Sequence, residues 1–214
     1  MKAILFDLDG TLLDTLDDLT ESCNFALKTL GFPPRKKEEI RRFVGNGARR
    51  LIELSLPDGK GELVSSALEI FRAHYASHSG DQTRAYEGIL PLMDTLKKEG
   101  YRLAIVSNKP DFAVKELART FFSQVDFAVG EKENVRRKPA PDTVLQAMEK
   151  LSVKREESVY VGDSEVDVKT AENAGIRCIA VTWGFRDREE LEEAGATRFA
   201  DTPEELYDRI GEMK

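Results

Sequence analysis

The first apolar run, Ala3-Ile4-Leu5-Phe6, is short and unbroken. Four such residues make no amphipathic helical face, so they read as a strand buried on both sides. The pattern then changes period. Leu16, Leu19, Cys23, Ala26, Leu27 and Leu30 recur at helical spacing, and Gly31 with Pro33 and Pro34 ends that helix. From Glu38 to His78 the spacing stays helical, through Ile40, Phe43 and Val44, then Leu51, Ile52, Leu54 and Leu56, then Leu63, Ala67, Ile70 and Phe71. No strand pattern interrupts it, and the polar stretch Ser77 to Gln82 closes it. Residues 16–82 therefore read as a helical insertion, leaving 1–15 and 83–214 as the body into which it is set.

Past Gly88 the chain alternates. Helices over Leu90–Glu99, Phe112–Phe122, Asp142–Leu151 and Val166–Ala174 lead into strands over Tyr101–Ser107, Val125–Gly130, Ser158–Asp163 and Ile176–Trp183. Two last helices are predicted over Glu189–Glu193 and Pro203–Ile210. Such alternation specifies a parallel α/β sheet covered on both faces. In these sheets ligands bind beyond the C-terminal ends of the strands, near a reversal of strand order. Those ends are where the polar residues collect: Asp7 after the first strand, Ser107-Asn108-Lys109 after the second, Gly162-Asp163-Ser164 after the fourth.

Composition narrows the function without naming it. Over 214 residues, 33% are charged and the formal net charge is −7, which disfavours nucleic acid and anionic membranes as partners. No apolar run approaches the ~20 residues that span a bilayer, and the first residues are too short and acidic for a signal peptide, so the expected location is the cytoplasm. Cys23 and Cys178 lie far apart in a helix and a strand and read as reduced core residues.

Asp7 and Asp9 are two apart at the end of the first strand, so their side chains leave the same way, and Gly10 permits a sharp turn. Like charges this close call for a cation, and a hard divalent ion such as Mg²⁺ accepts carboxylates, waters and phosphate together. The plainer reading is a strand followed by an Asp-Gly turn with Thr11 as a helix cap. An aspartate can attack phosphorus, and a second acid two residues on can protonate the leaving alkoxide and later deprotonate water. A lysine, a metal ion and backbone N–H groups then offset the phosphoryl charge.

Four segments carry a specific resemblance: Phe6-Asp7-Leu8-Asp9-Gly10-Thr11, Val106-Ser107-Asn108-Lys109, Arg137-Lys138-Pro139 and Gly162-Asp163-Ser164-Glu165-Val166-Asp167. In this order, at these strand ends, they resemble the four motifs of haloacid dehalogenase superfamily hydrolases. The resemblance spans nearly the whole chain. It implies a doubly wound, Rossmann-like parallel core with a small inserted α-helical cap, and Mg²⁺ (or Mn²⁺) as cofactor. Asp7 would be nucleophile and metal ligand. Asp9 would be the acid/base, its backbone carbonyl also reaching the metal. Ser107 would hydrogen-bond the transferring phosphoryl group and Lys138 would balance its charge. Asp163 would complete the metal site, with Asp167 behind it holding a metal-bound water or Lys138.

The segment Val44-Gly45-Asn46-Gly47-Ala48-Arg49-Arg50-Leu51, with Ser107-Asn108-Lys109-Pro110, is similar to that of phosphoglycolate phosphatases. A small phosphorylated metabolite is the partner this implies, contacted by Gly10, Thr11, Asn46, Gly47, Ser107, Asn108 and Lys109. Arg49 or Arg50 offers a guanidinium fork for a substrate carboxylate, against a reading of both as surface charges. His74 and His78 are four apart on a helix, with no third metal ligand nearby in sequence. Pyrophosphate hydrolysis, broad sugar or nucleotide phosphatase activity and a β-phosphoglucomutase-type transfer are the competing enzymatic readings. Outside enzymes, a phospho-accepting receiver domain shares the residue types but is shorter and has no helical insertion.

Overall fold

The computed structural model describes residues 1–213. Its centre is a six-stranded, all-parallel sheet with the order β5-β4-β1-β6-β7-β8. The strands are β1 (Ala3–Phe6), β4 (Arg102–Pro110), β5 (Phe127–Glu131), β6 (Ser158–Gly162), β7 (Arg177–Val181) and β8 (Phe199–Ala200). Two further strands, β2 (Leu13–Asp14) and β3 (Arg84–Ala85), form a separate antiparallel ribbon.

Period-2 alternation explains why β1 is apolar throughout. Ile4 and Phe6 point to one face, into a core shared with Leu103, Ile105, Val159 and Val161. Ala3 and Leu5 point to the other, with Ala104, Val106 and Tyr160. Helices α5 (Ile89–Lys98), α6 (Asp111–Phe121) and α10 (Pro203–Gly211) cover the first face, and α7 (Asp142–Leu151) and α8 (Glu165–Ala174) the second. A short α9 (Arg188–Glu193) packs Leu191 near β7 and β8. After β1 the chain builds outward through β4 and β5, then returns to the other side of β1 for β6, β7 and β8. The reversal of order therefore falls at β1, with Asp7 at its end.

The predicted core elements match to within a few residues. β4 runs on to Pro110, so Asn108 and Lys109, beyond the predicted end of the strand, are strand residues as well. β8 and the β2–β3 ribbon were not predicted.

Between β2 and β3 lie α1 (Leu16–Thr29), α2 (Lys37–Phe43), α3 (Gly47–Ser55) and α4 (Val64–His78). They bury a cluster of their own, including Leu19, Ile40, Leu51, Phe71 and Tyr75, which Ala113 and Phe185 join from the sheet side. The long helical pattern from 38 to 78 is thus three helices. Its first break is at Gly45, whose φ of 120° lies outside the helical range. Entry and exit of this segment are tied by buried Asp18 of α1, which accepts from Gln82 N at 2.9 Å, Thr83 N at 2.9 Å and Thr83 Oγ1 at 2.7 Å.

Candidate active site

The end of β1 sets the site. Asp7 continues the ladder through its N–H to Val161 O at 2.9 Å, which holds its backbone to β6 while the side chain enters the rim. Leu8 O accepts from Leu12 N and Leu13 N, folding residues 8–13 into a tight loop. At its apex Gly10 has φ 85°, and a Cβ there would lie 2.3 Å from Asp163 Oδ2. Only glycine lets this loop pass so close to a carboxylate arriving from β6. Gly184 does the same from the other side: a Cβ would lie 2.3 Å from Asp163 Cβ and 2.4 Å from Gly10 O. Thr11 Oγ1 and Phe185 N then donate to the two oxygens of Asp163, each at 2.8 Å.

Asp7, Asp163 and Asp167 are all buried, and one oxygen from each lies within 4.8 Å of the others. Burial, then the charge on Asp167, pushes Asp7 up to about 7, and the same two causes push Asp163 up to about 8. Three carboxylates in so little space ionise together only against positive charge, and an all-oxygen donor set suits a hard divalent cation. The three residues therefore fit a divalent metal ion; of the ligands the sequence implied, Asp7 and Asp163 are in the cluster, Asp167 joins them, and the Asp9 carboxylate does not.

Lys138 supplies one fixed positive charge. Its ammonium lies 2.9 Å from Asp7 Oδ1 and 2.7 Å from Asp167 Oδ1, and donates to Tyr160 Oη at 2.9 Å. Burial opposes its charge, but Asp167 and Asp7 overcome this and hold it well above the ordinary lysine value. Asp167 is itself fixed by Ser164 N and Oγ, at 3.1 and 2.6 Å, in a capping box at the start of α8. Lys138→Met keeps an apolar stem but leaves Asp7 and Asp167 buried without their cation. Urea unfolding near neutral pH is expected to show a loss of about 3–5 kcal/mol. The loss should shrink toward about pH 4, where Asp7 carries a proton. A variant as stable as its parent at neutral pH contradicts this role for the lysine.

Asp9 stands apart from the acidic cluster. Its Oδ1 accepts from Lys109 Nζ at 2.5 Å and from Thr15 Oγ1 at 2.7 Å. Burial opposes the Lys109 charge, and Asp9 overrides it, so this lysine is also held above its usual value.

A cavity of about 50 Å³ opens over these groups, lined by Asp7, Asp9, Ser107, Asn108, Lys109 and Asp163 below and by residues of the helical segment above. It is far smaller than the ~300–1,000 Å³ of drug-sized sites. Of the other residues implied as substrate contacts, Gly47 lines it, whereas Gly10, Thr11 and Asn46 do not. Thr11 instead spends its hydroxyl on Asp163, and its carbonyl accepts from Trp183 Nε1. Asn108 donates to Gly45 O and Lys138 O and accepts from Lys138 N, so its amide joins three segments of chain. Arg49 and Arg50 are exposed, pair with Glu53 and do not line the cavity. His74 stacks between Phe25 and His78, and His78 bonds Asp81 at 2.7 Å.

Three contributors had no signal in the sequence. Tyr160 hides in an apolar strand, but its hydroxyl is bonded to both Lys138 and Val106 O. Arg186 reaches from the loop after β7 to Val44 O at 2.8 Å, Arg41 O and Arg42 O, capping α2, while Glu165 pairs with it at 2.8 Å. Tyr75 descends from α4 into the cavity.

The chain is similar to known proteins over nearly its whole length. Residues 4–181 match the family described as haloacid dehalogenase-like hydrolase. Phosphoglycolate phosphatase 1 of Pseudomonas aeruginosa is 34% identical over 218 residues, covering 96% of this chain and 78% of the relative. The phosphoglycolate phosphatase of Vibrio parahaemolyticus is 32% identical over 222 residues, covering 98% and 96%. Among solved structures, one from Lactobacillus delbrueckii subsp. bulgaricus, provisionally described as a phosphoglycolate phosphatase, superposes with a TM-score of 0.92 at 38% identity, covering 98% of both chains.

Proposed function

The chain belongs to the haloacid dehalogenase-like hydrolases and is a phosphoric monoester hydrolase, and from that premise we propose that its substrate is 2-phosphoglycolate, hydrolysed through a phosphorylated Asp7. The observation that carries this reading is the convergence of Asp7, Asp163 and Asp167 around Lys138 beside Asp9 at one sheet edge. Supporting the choice of substrate are two relatives that bear the name phosphoglycolate phosphatase and a small cavity lined by these groups.

In the first step a carboxylate oxygen of Asp7 attacks phosphorus and the P–O bond to the leaving group breaks, the alkoxide taking a proton from Asp9. In the second, water attacks the aspartyl phosphate, Asp9 takes the proton back, and free Asp7 and inorganic phosphate result. Lys109 and Thr15 both bind Oδ1 of Asp9, so Oδ2 is the oxygen that carries the proton. Ser107, buried within β4, donates to the phosphoryl oxygens, and Lys138 balances their charge against Asp7.

Asp7, Asp163 and the backbone carbonyl of Asp9 would hold Mg²⁺, with Asp167 behind them, and Mn²⁺ meets the same oxygen donors. When bound, the ion neutralises charge on the transferring phosphoryl group. Helices α1–α4 act as a cap, residues 16–82, whose closure excludes bulk water and whose opening releases product. Among the described residues no helix is long and apolar enough to cross a membrane.

The test is phosphate release from 2-phosphoglycolate, pyrophosphate, sugar phosphates and nucleotides in parallel. 2-Phosphoglycolate is expected among the best by kcat/KM. If sugar phosphates or pyrophosphate lead by tenfold or more, the substrate assignment is wrong while the phosphatase chemistry stands.

A further inference from the structure

The cavity wall contributed by the helical segment is apolar, with Leu19, Leu51 and Phe71 among its members. One polar atom interrupts it. Tyr75, 2% exposed, stacks on Phe71 one turn away, with ring planes 9° apart and centroids at 5.3 Å. This contact fixes the ring, while the buried hydroxyl has the Lys109 ammonium as a polar neighbour and no acceptor for its own proton among the described residues. A buried O–H without an acceptor is costly, and it persists where something other than folding uses it. Burial pushes the phenol up to about 12, so it stays protonated and is a donor at neutral pH.

Directly beneath it lies Lys109, whose Nζ is 4.9 Å from the Tyr75 ring centroid and 2.5 Å from Asp9 Oδ1. Asp9 must come within hydrogen-bond distance of the scissile oxygen to protonate it, about 2.7 Å. The scissile oxygen therefore lies next to Lys109 too. In a two-carbon ester the carboxyl carbon is only two bonds beyond that oxygen, about 2.5 Å. A carboxylate at that distance is within reach of the Lys109 ammonium and of the Tyr75 hydroxyl beside it. A polyol chain there would meet the apolar wall, with few partners for its hydroxyls.

We infer that Tyr75 is a specificity-determining residue, its hydroxyl donating to the carboxylate of a short phosphate ester whose other carboxylate contact is Lys109. This deepens the 2-phosphoglycolate reading and rests on it. The exposed Arg49 and Arg50, which the sequence offers for the same task, have no part in it.

The test compares Tyr75→Phe with the parent on 2-phosphoglycolate and on ethyl phosphate, which is nearly isosteric but lacks the carboxylate. Phe keeps the stack on Phe71 and the face toward Lys109. The variant is expected to lose about 10- to 100-fold in kcat/KM on 2-phosphoglycolate, as for a hydrogen bond to a charged group, chiefly through KM. Ethyl phosphate hydrolysis should change by less than about twofold. Because the deleted O–H has no acceptor for its proton, Tm should hold, whereas a structural role would lower it. Equal losses on both substrates, or no loss on either, overturn the assignment. If the parent prefers 2-phosphoglycolate and the variant keeps that preference, Tyr75 alone is excluded. If the parent itself shows no preference between the two esters, the 2-phosphoglycolate reading falls and the Tyr75 assignment with it.

Discussion

Asp7→Asn is expected to abolish turnover, by about 10⁴-fold or more, since losing a nucleophile removes the reaction path rather than one stabilising contact. The amide matches the carboxylate in shape, so the β1 backbone and its bond to Val161 O need not move. It also removes one of three crowded negative charges. Burial and Asp167 already disfavour the charged form of Asp7, and Lys138 keeps Asp167 as its partner. The variant should therefore fold with a Tm no lower than its parent's, and lost activity cannot then be assigned to unfolding. Acid quenching during turnover should trap a phosphorylated peptide containing Asp7 in the parent and none in the variant. Appreciable turnover by well-folded Asp7→Asn would leave the proposed chemistry without its first step.

The catalytic edge was legible because its parts sit on strands with strong local patterns. β1 and β6 are unbroken apolar runs, so the acids that follow them, Asp7 and Asp163, were assigned to strand ends without knowledge of any pairing. Lys138 had no such pattern. It stands in a basic stretch that would by itself read as surface, and only its place among four ordered segments marks it as a site residue, which the structure buries. What stayed hidden depends on contacts between distant residues. The β2–β3 ribbon has two residues per strand, too few to show any period, and β8 is as short. The break between α2 and α3 rests on positive φ at Gly45, in a stretch whose apolar spacing continues as helix. Asn108 has the composition of a substrate contact, but its three hydrogen bonds go to Gly45 and Lys138, and Thr11 is similarly taken by Asp163 and Trp183. Arg186 meets carbonyls more than 140 positions away. Residue type and order thus revealed the chemistry, while the division between groups that touch substrate and groups that hold those groups required the folded contacts.

Removing metal ion should have an effect as large as deleting Asp7, and its pH dependence tests where the ion binds. EDTA is expected to abolish phosphate release, and excess Mg²⁺ to restore it. In EDTA, Asp7 and Asp163 titrate near about 7 and about 8 in the folded chain, against 3.8 for an ordinary aspartate. As pH rises from about 4, the unfolded chain sheds these protons first while the folded chain keeps them. The folded state then binds more protons, so stability falls with rising pH across roughly pH 4 to 8. A cation held by the same oxygens favours their ionised forms, so its stabilisation grows over that window. At a concentration 100 times its dissociation constant a ligand contributes about 2.7 kcal/mol, or roughly 5–10 °C in Tm for a chain of this size. The Mg²⁺-minus-EDTA difference in Tm should be small near pH 5 and approach that value near pH 8. Taking the difference cancels groups remote from the cluster, among them Asp111 and Asp142 with their lowered values and His74, which burial and His78 hold down. Asp163→Asn should flatten the profile by removing both a donor and a titrating group. A Mg²⁺ effect that is independent of pH, or that survives Asp163→Asn unchanged, would place the ion elsewhere.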